Sequence, residues 1–572
     1  MIGSRKNDPW LFASLRGYQP SWLVSDAIAA LTLAAIAIPE QLATARLVGL
    51  PPMAGLLAFG AGTLAFAAFG ANRFISVGAD STIAPIMASA LAAIAIAGSA
   101  AYAGMAAALA LLVGAVLLIA GIARAGWIAD LLSIPVTTGF LAGISVHIIV
   151  GQMPDLLGLA APSGDIVHRL IAIVRQLPRA KLDPTLIGVG VLVVALLADR
   201  INKRIPGAFI GFLVSGLAVW SLGLAQRGTA VLGALPIARL HPIIELPSWQ
   251  QFTQLLPTSL IVALVCMMQT AAVVRSFPND PKTQENVSRD FAAIGAGSIL
   301  AAILGAFAVD SSPPRTAVVH ESGGKSQIAG LLAIAIAATI ALLAANAFAV
   351  LPVAALSGVL VFIGMRIFRV ATMLQIYRRG GYEILLVAAG AALVVLLPIQ
   401  TGVTMSILLS LVHSVYIIAR PDCVVMSRVP GTTVWWDEPA GETGERETGV
   451  LVFAPGAPVY FTNAAYIRRK LMDAITAMDA TAAEPCRLVV LEAHGVIDID
   501  YSGSLMLQQA FAELYQRGIK VALARLESDR AQRAAKRTGL IGVLGSENVF
   551  RSVEDAIRAR SSHGPASRTA GS

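Results

Sequence analysis

Four ionisable side chains lie inside long apolar stretches of the sequence, where a charge is unfavourable and marks a candidate functional residue. They are Glu40, Asp80, Asp310 and Arg315. The carboxylates could take up a coupling proton or sodium ion, and the guanidinium could bind an oxyanion through two parallel hydrogen bonds. These residue types predict ion binding rather than covalent chemistry.

Two of the apolar stretches open with small and polar residues, which is typical of a short helix that starts in mid-membrane. The openings are Ser76 to Thr82 and Val309 to Thr316. Two helix N-termini that face each other present free N–H groups and positive dipole ends. The pattern therefore predicts an anion site near the bilayer midplane.

Each of these residues also has a structural interpretation. Asp80 and Asp310 could cap the short helices, and Arg315 could neutralise Asp310 without touching substrate. Glu40 could lie in an aqueous vestibule, or it could couple transport to a proton or cation. His147 stands alone on an apolar helix and is expected to be packed and hydrogen-bonded.

The composition places these residues in a membrane protein. Of 572 residues, 56% are hydrophobic and 13% are charged, and the mean hydropathy is +0.74. A soluble domain carries about 25% charged residues, so a soluble enzyme, a disordered regulator and a secreted disulfide scaffold are excluded. The three cysteines fit neither a disulfide framework nor a zinc signature. No phosphate-binding loop is present, and we expect no metal site, no cofactor, no nucleic-acid partner and no enzymatic activity.

Residues 26–420 are predicted to form a transmembrane transport domain of about fourteen segments, each near the ~20 residues that a helix needs to cross a bilayer. The predicted segments are 26–45, 52–70, 78–93, 104–122, 128–151, 184–199, 207–224, 254–274, 291–308, 312–320, 327–345, 349–365, 382–398 and 402–418. The third and tenth are too short to span and are predicted to be half-helices.

Lys and Arg cluster in alternate loops, which predicts that those loops, the N-terminal residues 1–25 and the C-terminus are cytoplasmic. One loop on the opposite side breaks this rule. Its cations are Arg169, Arg175, Arg179 and Lys181. We interpret this loop as an amphipathic interfacial segment.

The composition changes after Arg420. Residues 421–448 are predicted to be a linker, and alternating strands and helices over 449–560 predict a small α/β domain with one sheet. The predicted strands are 450–453, 459–461, 487–492 and 520–524, and the predicted helices are 464–478, 504–517, 530–538 and 553–560. Residues 561–572 are predicted to be a disordered tail.

Several motifs resemble the SulP (sulfate permease) family of anion transporters. The run IPEQLATARLVGLPPMAGL, from Ile38 to Leu56, resembles the family signature, and Ile134 to Gly143, Gly151 to Gly158 and Ser322 to Gly330 support it. The resemblance implies two inverted repeats of seven helices, with a core domain that moves against a gate domain as an elevator. It also implies a C-terminal STAS domain, a homodimer, and exchange or symport of sulfate, bicarbonate, chloride or dicarboxylates.

Carried over residue by residue, the resemblance implies a substrate site built from four segments. Its residues are Glu40, Thr44, Ala79, Asp80, Ser81, Gln269, Ser311, Ser312 and Arg315, with Glu40, Asp80 and Asp310 as coupling candidates. Glu40 stands where the family commonly has Gln, Gln269 stands where many bacterial members have an acid, and Thr44 replaces an aromatic residue. The acid is thus in the first segment instead of the eighth.

In the C-terminal domain, Val496 to Gly503 resembles the STAS loop that precedes a helix. Its candidate residues are Asp498, Asp500, Tyr501, Ser502 and Gly503. Tyr501 stands where related anti-sigma-factor antagonists carry a phosphorylatable Ser, so phosphorylation is not expected at this position.

The sequence therefore predicts a secondary transporter of a small inorganic or carboxylate anion in a bacterial plasma membrane, with proton or sodium symport or anion exchange. The expected partners are the substrate, lipid, a second copy of the chain and a protein that binds the STAS domain. Three alternatives stay open: a membrane-anchored STAS signalling or scaffold protein, a nucleobase carrier that uses Glu40 and Gln269, and a passive anion channel. Arg315 argues against the nucleobase carrier.

Overall fold

The computed structural model describes residues 11, 12, 15, 17–127, 133–162, 164–202, 205–232, 248–279, 286–343, 351–379, 381–437, 444–481 and 484–561. The chain divides into two compact units, Met1–Ser410 and Leu411–Ser572. Apart from Ser561, which ends the last helix, the predicted disordered tail lies outside the described residues.

The first unit is a bundle of helices with one two-stranded sheet. In chain order its elements are α1 (Leu23–Val48), α2 (Pro52–Phe69), β1 (Val77–Gly78), α3 (Ala84–Ala92), α4 (Ala100–Ile122), α5 (Ile134–Leu157), α6 (Ile166–Gln176), α7 (Leu182–Ile201), α8 (Gly207–Ser221), α9 (Trp249–Ser276), α10 (Val287–Ile303), β2 (Asp310–Ser311), α11 (Pro313–Glu321), α12 (Ile328–Leu343), α13 (Val353–Ile367), α14 (Val370–Arg379), α15 (Glu383–Leu396) and α16 (Ile399–Ala419), which continues past the unit boundary. Each of the fourteen predicted segments has its helix, and α6 and α14 are additional. Within the described ranges, eight helices are long and apolar enough to cross a membrane, and three more are apolar but shorter.

The helices of this unit pack in two groups. In the first group, α4 packs along α10, α2 also contacts α10, and α1 contacts α12. In the second group, α5 packs against α13 and α15, and α7 packs against α8 and α13. A Cβ atom on Gly114 of α4 would lie 2.7 Å from the carbonyl oxygen of Gly295 on α10, so glycine is needed for this close approach. The two groups correspond to the core and gate domains that the resemblance implies.

A buried carboxylate ties α1 to the turn before α12. Asp26 is fully buried and accepts hydrogen bonds from the backbone N–H of Lys325 at 2.7 Å and of Ser326 at 3.2 Å. It also accepts one from the Ser326 hydroxyl at 2.7 Å. Asp26 therefore satisfies three donors, and the two from Ser326 would otherwise be buried without a partner.

Replacing Asp26 with Ala should destabilise the bundle, because each buried donor left without an acceptor costs about 1–3 kcal/mol. We expect the apparent melting temperature of the detergent-solubilised protein to fall by about 10 °C. The matched control is Asp183→Ala, which removes a first-turn acid of α7 that accepts no hydrogen bond from the described part of the chain. Equal melting temperatures for the two variants would contradict this role of Asp26.

The second unit is an α/β domain with one mixed sheet. Its elements are β3 (Cys423–Arg428), β4 (Trp435–Asp437), β5 (Val450–Pro455), α17 (Ala464–Thr481), β6 (Leu488–Glu492), α18 (Tyr501–Gln516), β7 (Lys520–Ala524), α19 (Asp529–Arg537), α20 (Leu540–Leu544), β8 (Val549–Phe550) and α21 (Val553–Ser561). The strand order is β4-β3-β5-β6-β7-β8. Strands β5 to β8 are parallel, and β3 is antiparallel to both of its neighbours.

Two segments of this unit differ from the prediction. Residues 421–448, predicted to be a linker, contain β3 and β4, and Cys423 of β3 pairs with Pro455 of β5. Residues 459–461, predicted to be a strand, contribute only an isolated bridge between Val459 and Ile499. The sheet is therefore extended at its N-terminal edge by segments that the prediction left outside the domain.

The cysteine thiols are expected to react slowly in the folded protein. Burial raises the pKa of the Cys423 and Cys486 thiols to about 11, and Cys266 is buried in α9. At about pH 7.5 roughly one thiol in a few thousand is then ionised, and the thiolate fraction rises tenfold per pH unit. A titration with a thiol reagent should therefore accelerate towards alkaline pH and reach three thiols only after denaturation. Reaction at the rate of free cysteine near neutral pH would contradict this expectation.

Candidate functional site

Two short strands bring the openings of the predicted half-helices together. β1 and β2 pair antiparallel, with Val77 opposite Ser311 and Gly78 opposite Asp310. The helices that follow begin at Ala84 and Pro313, later than the predicted starts at 78 and 312. Residues at the entrance of both helices line the same cavity, which agrees with the prediction of paired half-helices.

This cavity has a volume of about 380 Å³ and lies where the two helix groups meet. Its polar wall includes Glu40, Asp80, Ser81, Thr82, Gln269 and Ser312. The second helix group supplies apolar wall residues, among them Leu141, Val359 and Phe362. Arg366, near the end of α13, and Arg369, just after that helix, also line the cavity. We call this space the site cavity.

Arg315 lies behind this wall and is fully buried. Its Nη1 donates to Glu40 Oε1 at 2.6 Å and to the carbonyl oxygen of Ala79 at 3.1 Å. Its Nε and Nη2 atoms, which form one edge of the guanidinium, have no hydrogen-bond partner among the described residues. The alternative in which Arg315 neutralises Asp310 is therefore wrong, because the ion pair is with Glu40. An anion that reaches Arg315 from the cavity must compete with the Glu40 carboxylate.

The two aspartates do not cap their helices, because neither α3 nor α11 has a side-chain cap. One oxygen of Asp80 instead accepts hydrogen bonds from the backbone N–H and the hydroxyl of Thr82. Asp310 Oδ1 accepts from the backbone N–H of Ser311 at 2.6 Å, and its Oδ2 is buried without a partner in the described structure. The buried part of the site therefore holds three carboxylates and Arg315, whereas Arg366 and Arg369 line the cavity from exposed positions.

Gln269 on α9 connects the two half-helix openings. Its Oε1 lies 2.8 Å from the Thr82 hydroxyl oxygen, and its Nε2 donates to the carbonyl oxygen of Ser311 at 3.1 Å. The Ser311 hydroxyl lies 3.1 Å from the hydroxyl of Thr270, one residue further along α9. Gln269 thus lines the cavity, and both ends of its side-chain amide contact other residues of the protein.

Gln41 is a site residue that the sequence analysis missed. Its Oε1 accepts from the backbone N–H of Ala79 at 2.7 Å, and its Nε2 donates to the carbonyl oxygen of Ala79 at 2.9 Å. This amide therefore fixes the same carbonyl that accepts from Arg315. The signal for it in the sequence is an amide directly after Pro39 and Glu40 in an otherwise apolar stretch.

The remaining predicted residues take different places. Ser81 and Ser312 line the cavity, and Ala79 contributes its backbone alone. Thr44 is buried, its hydroxyl has no partner within the described ranges, and it lies outside the cavity wall. His147 Nε2 donates to the carbonyl oxygen of Val394 at 2.8 Å, as expected of a hydrogen-bonded histidine, but the residue is half-buried instead of fully packed.

In the second unit, the predicted loop is held by its two aspartates. Asp500 caps α18 by accepting from the backbone N–H of Gly503 at 2.6 Å, and it also accepts from the backbone N–H of Phe461 at 2.8 Å. Asp498 forms an ion pair with Arg530 at 2.9 Å. The other two loop residues, exposed at the start of α18, are Tyr501 and Ser502.

Two family patterns match the chain. The pattern of the sulfate permease family matches residues 23–390, and the STAS domain pattern matches residues 444–556. This chain belongs to the sulfate permease family. It is accordingly a multi-pass membrane transporter of anions and not an enzyme, and its second unit is a STAS domain. The STAS match begins inside the segment that was predicted to be a linker.

Relatives of the family cover almost the whole chain. A probable sulfate transporter of Mycobacterium tuberculosis is 30% identical over 544 residues, which are 95% of this chain and 96% of that protein. Solute carrier family 26 member 6 of Homo sapiens is 25% identical over 470 residues, which are 78% of this chain and 62% of that protein. The structure of the murine solute carrier 26 family member A9 anion transporter in the inward-facing state matches with a TM-score of 0.86 at 18% identity, over 96% of this chain and 94% of that chain. The predicted fold class is therefore confirmed.

Proposed function

We propose that this chain is a secondary active transporter that carries a small oxyanion together with a proton, with Arg315 as the anion-binding cation and Glu40 as the proton-binding group. The observation that carries the proposal is the buried Arg315–Glu40 pair. One edge of the guanidinium is unpartnered within the described structure, and two parallel N–H groups suit two oxygens of an oxyanion.

The charge balance of the site favours proton coupling. Glu40 and Asp80 line the cavity and Asp310 is buried beside it, so in the buried part of the site three ionised carboxylates would repel an anion in spite of Arg315. Arg366 and Arg369 also line the cavity, but both are exposed. A proton on Glu40 removes the carboxylate that competes for the guanidinium. The anion and the proton then bind as a pair. Sodium could screen the same carboxylate, and the ion gradients in the uptake experiment distinguish the two ions.

The boundary between the two helix groups supports alternating access by an elevator motion. Glu40 and Asp80 belong to one group, whereas Leu141 and Phe362 on the facing wall belong to the other. The first group would slide along this apolar face and carry the bound anion between the two sides of the membrane. Homodimerisation, a plasma-membrane location and cytoplasmic placement of the STAS domain complete the proposal, and the distribution of Lys and Arg between loops supports the sidedness.

Sulfate is the first substrate to test. The Mycobacterium tuberculosis relative is a probable sulfate transporter, and it matches this chain over nearly its whole length. A cavity of about 380 Å³ also accommodates bicarbonate, chloride or a dicarboxylate. The helix N-termini and one arginine bind tetrahedral, planar and extended anions alike.

The test is radiotracer uptake by purified protein in proteoliposomes. Sulfate, bicarbonate, fumarate and uracil are compared in parallel, each with no gradient, an inward proton gradient or an inward sodium gradient. Saturable uptake of one anion, stimulated by the proton gradient, supports the proposal. Uptake of uracil alone would favour the nucleobase carrier. No uptake by folded protein would favour a signalling or scaffold role.

A further inference from the structure

A second cavity lies in the membrane unit and shares no lining residue with the site cavity. It has a volume of about 650 Å³ and is bounded by the end of α1, by α3, α5 and α6, and by the turn between α15 and α16. Its polar lining includes Arg46, Ser89, His147, Gln152, Asp165 and Arg169. We call this space the vestibule cavity.

The vestibule cavity lies further along α1 than the site cavity, towards the end of that helix. On α1, Glu40 lines the site cavity and Arg46 lines the vestibule cavity, and six residues of helix correspond to about 9 Å along the axis. On the third segment, Thr82 lines the first cavity and Pro85 lines the second. The two linings are therefore three residues apart on this segment, at the start of α3.

The arginines of the vestibule cavity have fewer hydrogen-bond and ion-pair partners in the described structure than its aspartate has. Arg169 is half-buried, its Nε is shielded from solvent without a partner, and no hydrogen bond or ion pair joins it to the described residues. Arg46 has one partner, Asp155, at 3.3 Å. Asp165 is engaged by the backbone N–H and the ring of His168, at 2.9 Å and 2.8 Å.

We propose that the vestibule cavity is a second anion-binding site, in which Arg169 and Arg46 hold a small oxyanion on its path to or from the site cavity. This inference rests on the proposed function and adds a binding step to it. It also gives a reason for the cationic loop that breaks the charge rule between loops, because α6 of that loop places Arg169 in the cavity wall. A partly buried guanidinium without a counter-ion favours an oxyanion partner.

The test measures the local potential with charged thiol reagents on the full chain in detergent, where both ends of the bundle are accessible. Cys266, Cys423 and Cys486 are replaced with Ala, and Ser89→Cys is the reporter in the cavity wall. The rates of reaction with the anionic sulfonatoethyl and the cationic trimethylammoniumethyl methanethiosulfonate are compared. We expect the anionic-to-cationic rate ratio to be higher at the reporter cysteine than at free cysteine. Millimolar sulfate should slow the reaction of the reporter with the anionic reagent.

Arg169→Gln should lower the anionic-to-cationic rate ratio roughly fivefold and remove the protection by sulfate. The matched control is Arg175→Gln on the same helix, because Arg175 is exposed and does not line the cavity. Equal ratios in the two variants, or preference of the reporter for the cationic reagent, would overturn the inference. Gln152→Cys is the second reporter if the Ser89 variant does not fold. The reaction rates are measured without transport, so a negative result here can be told apart from a failure of the proposed function.

Discussion

Arg315→Gln should lower anion uptake by at least about 100-fold at any pH. The substitution removes the buried cation and the two N–H groups on its unpartnered edge. Hydrogen bonds to charged groups contribute about 1.5–3 kcal/mol each, so loss of two corresponds to about two to four orders of magnitude in affinity. The measurement is radiotracer uptake in proteoliposomes with matched amounts of folded protein.

The single variant also leaves Glu40 buried without its counter-ion, and removal of one partner of such a pair costs about 3–5 kcal/mol. Loss of uptake could therefore reflect misfolding. The double variant Glu40→Gln/Arg315→Gln removes both charges, and we expect it to recover the melting temperature of the unmodified protein but not its uptake. Near-normal uptake by the double variant would contradict a role for Arg315 in anion binding.

Glu40→Gln should uncouple transport from protons. Its side-chain oxygen can still accept from Arg315 Nη1, so the local structure is kept, but the group no longer binds or releases a proton. In the unmodified protein, uptake should rise as the pH on the substrate side falls, because protonated Glu40 is the form that frees Arg315. In the variant, uptake should become independent of pH, and exchange of labelled for unlabelled anion should continue.

The matched control for this prediction is Glu383→Gln, in the first turn of α15 and outside the site cavity. It should keep the pH dependence of the unmodified protein. A Glu40→Gln protein with the original pH dependence would assign coupling to another group, with Asp80 in the cavity wall the next candidate. Stimulation by sodium in place of protons would contradict the choice of coupling ion.

The half-helices could be predicted from the sequence because both openings are polar and their apolar parts are short. The pairing of Glu40 with Arg315 could not, because the two residues are 275 positions apart and only the packing of α1 against α11 brings them together. Proximity in the sequence pointed to Asp310 as the partner of Arg315. Buried ion pairs depend on tertiary contacts that local patterns do not encode.

The first strands of the STAS sheet were missed for a different reason. Pro421 precedes β3, Pro430 lies between β3 and β4, and charged residues follow β4. This composition is typical of a linker. β4 is the edge strand of the sheet and β3 is its neighbour. Edge strands commonly carry charge and Pro nearby, so local composition argues against strands in this segment even where they pair. Their place became evident only from the register between β3 and β5.

The central claim is that protonation of Glu40 frees Arg315 to bind the anion. Its most direct test is uphill transport driven by a pH gradient alone. Proteoliposomes start with equal concentrations of labelled anion on both sides, without sodium, and an inward proton gradient is then imposed. We predict that the anion accumulates inside above its external concentration, that a protonophore abolishes the accumulation, and that Glu40→Gln prevents it. Exchange without net accumulation in the unmodified protein would contradict the account.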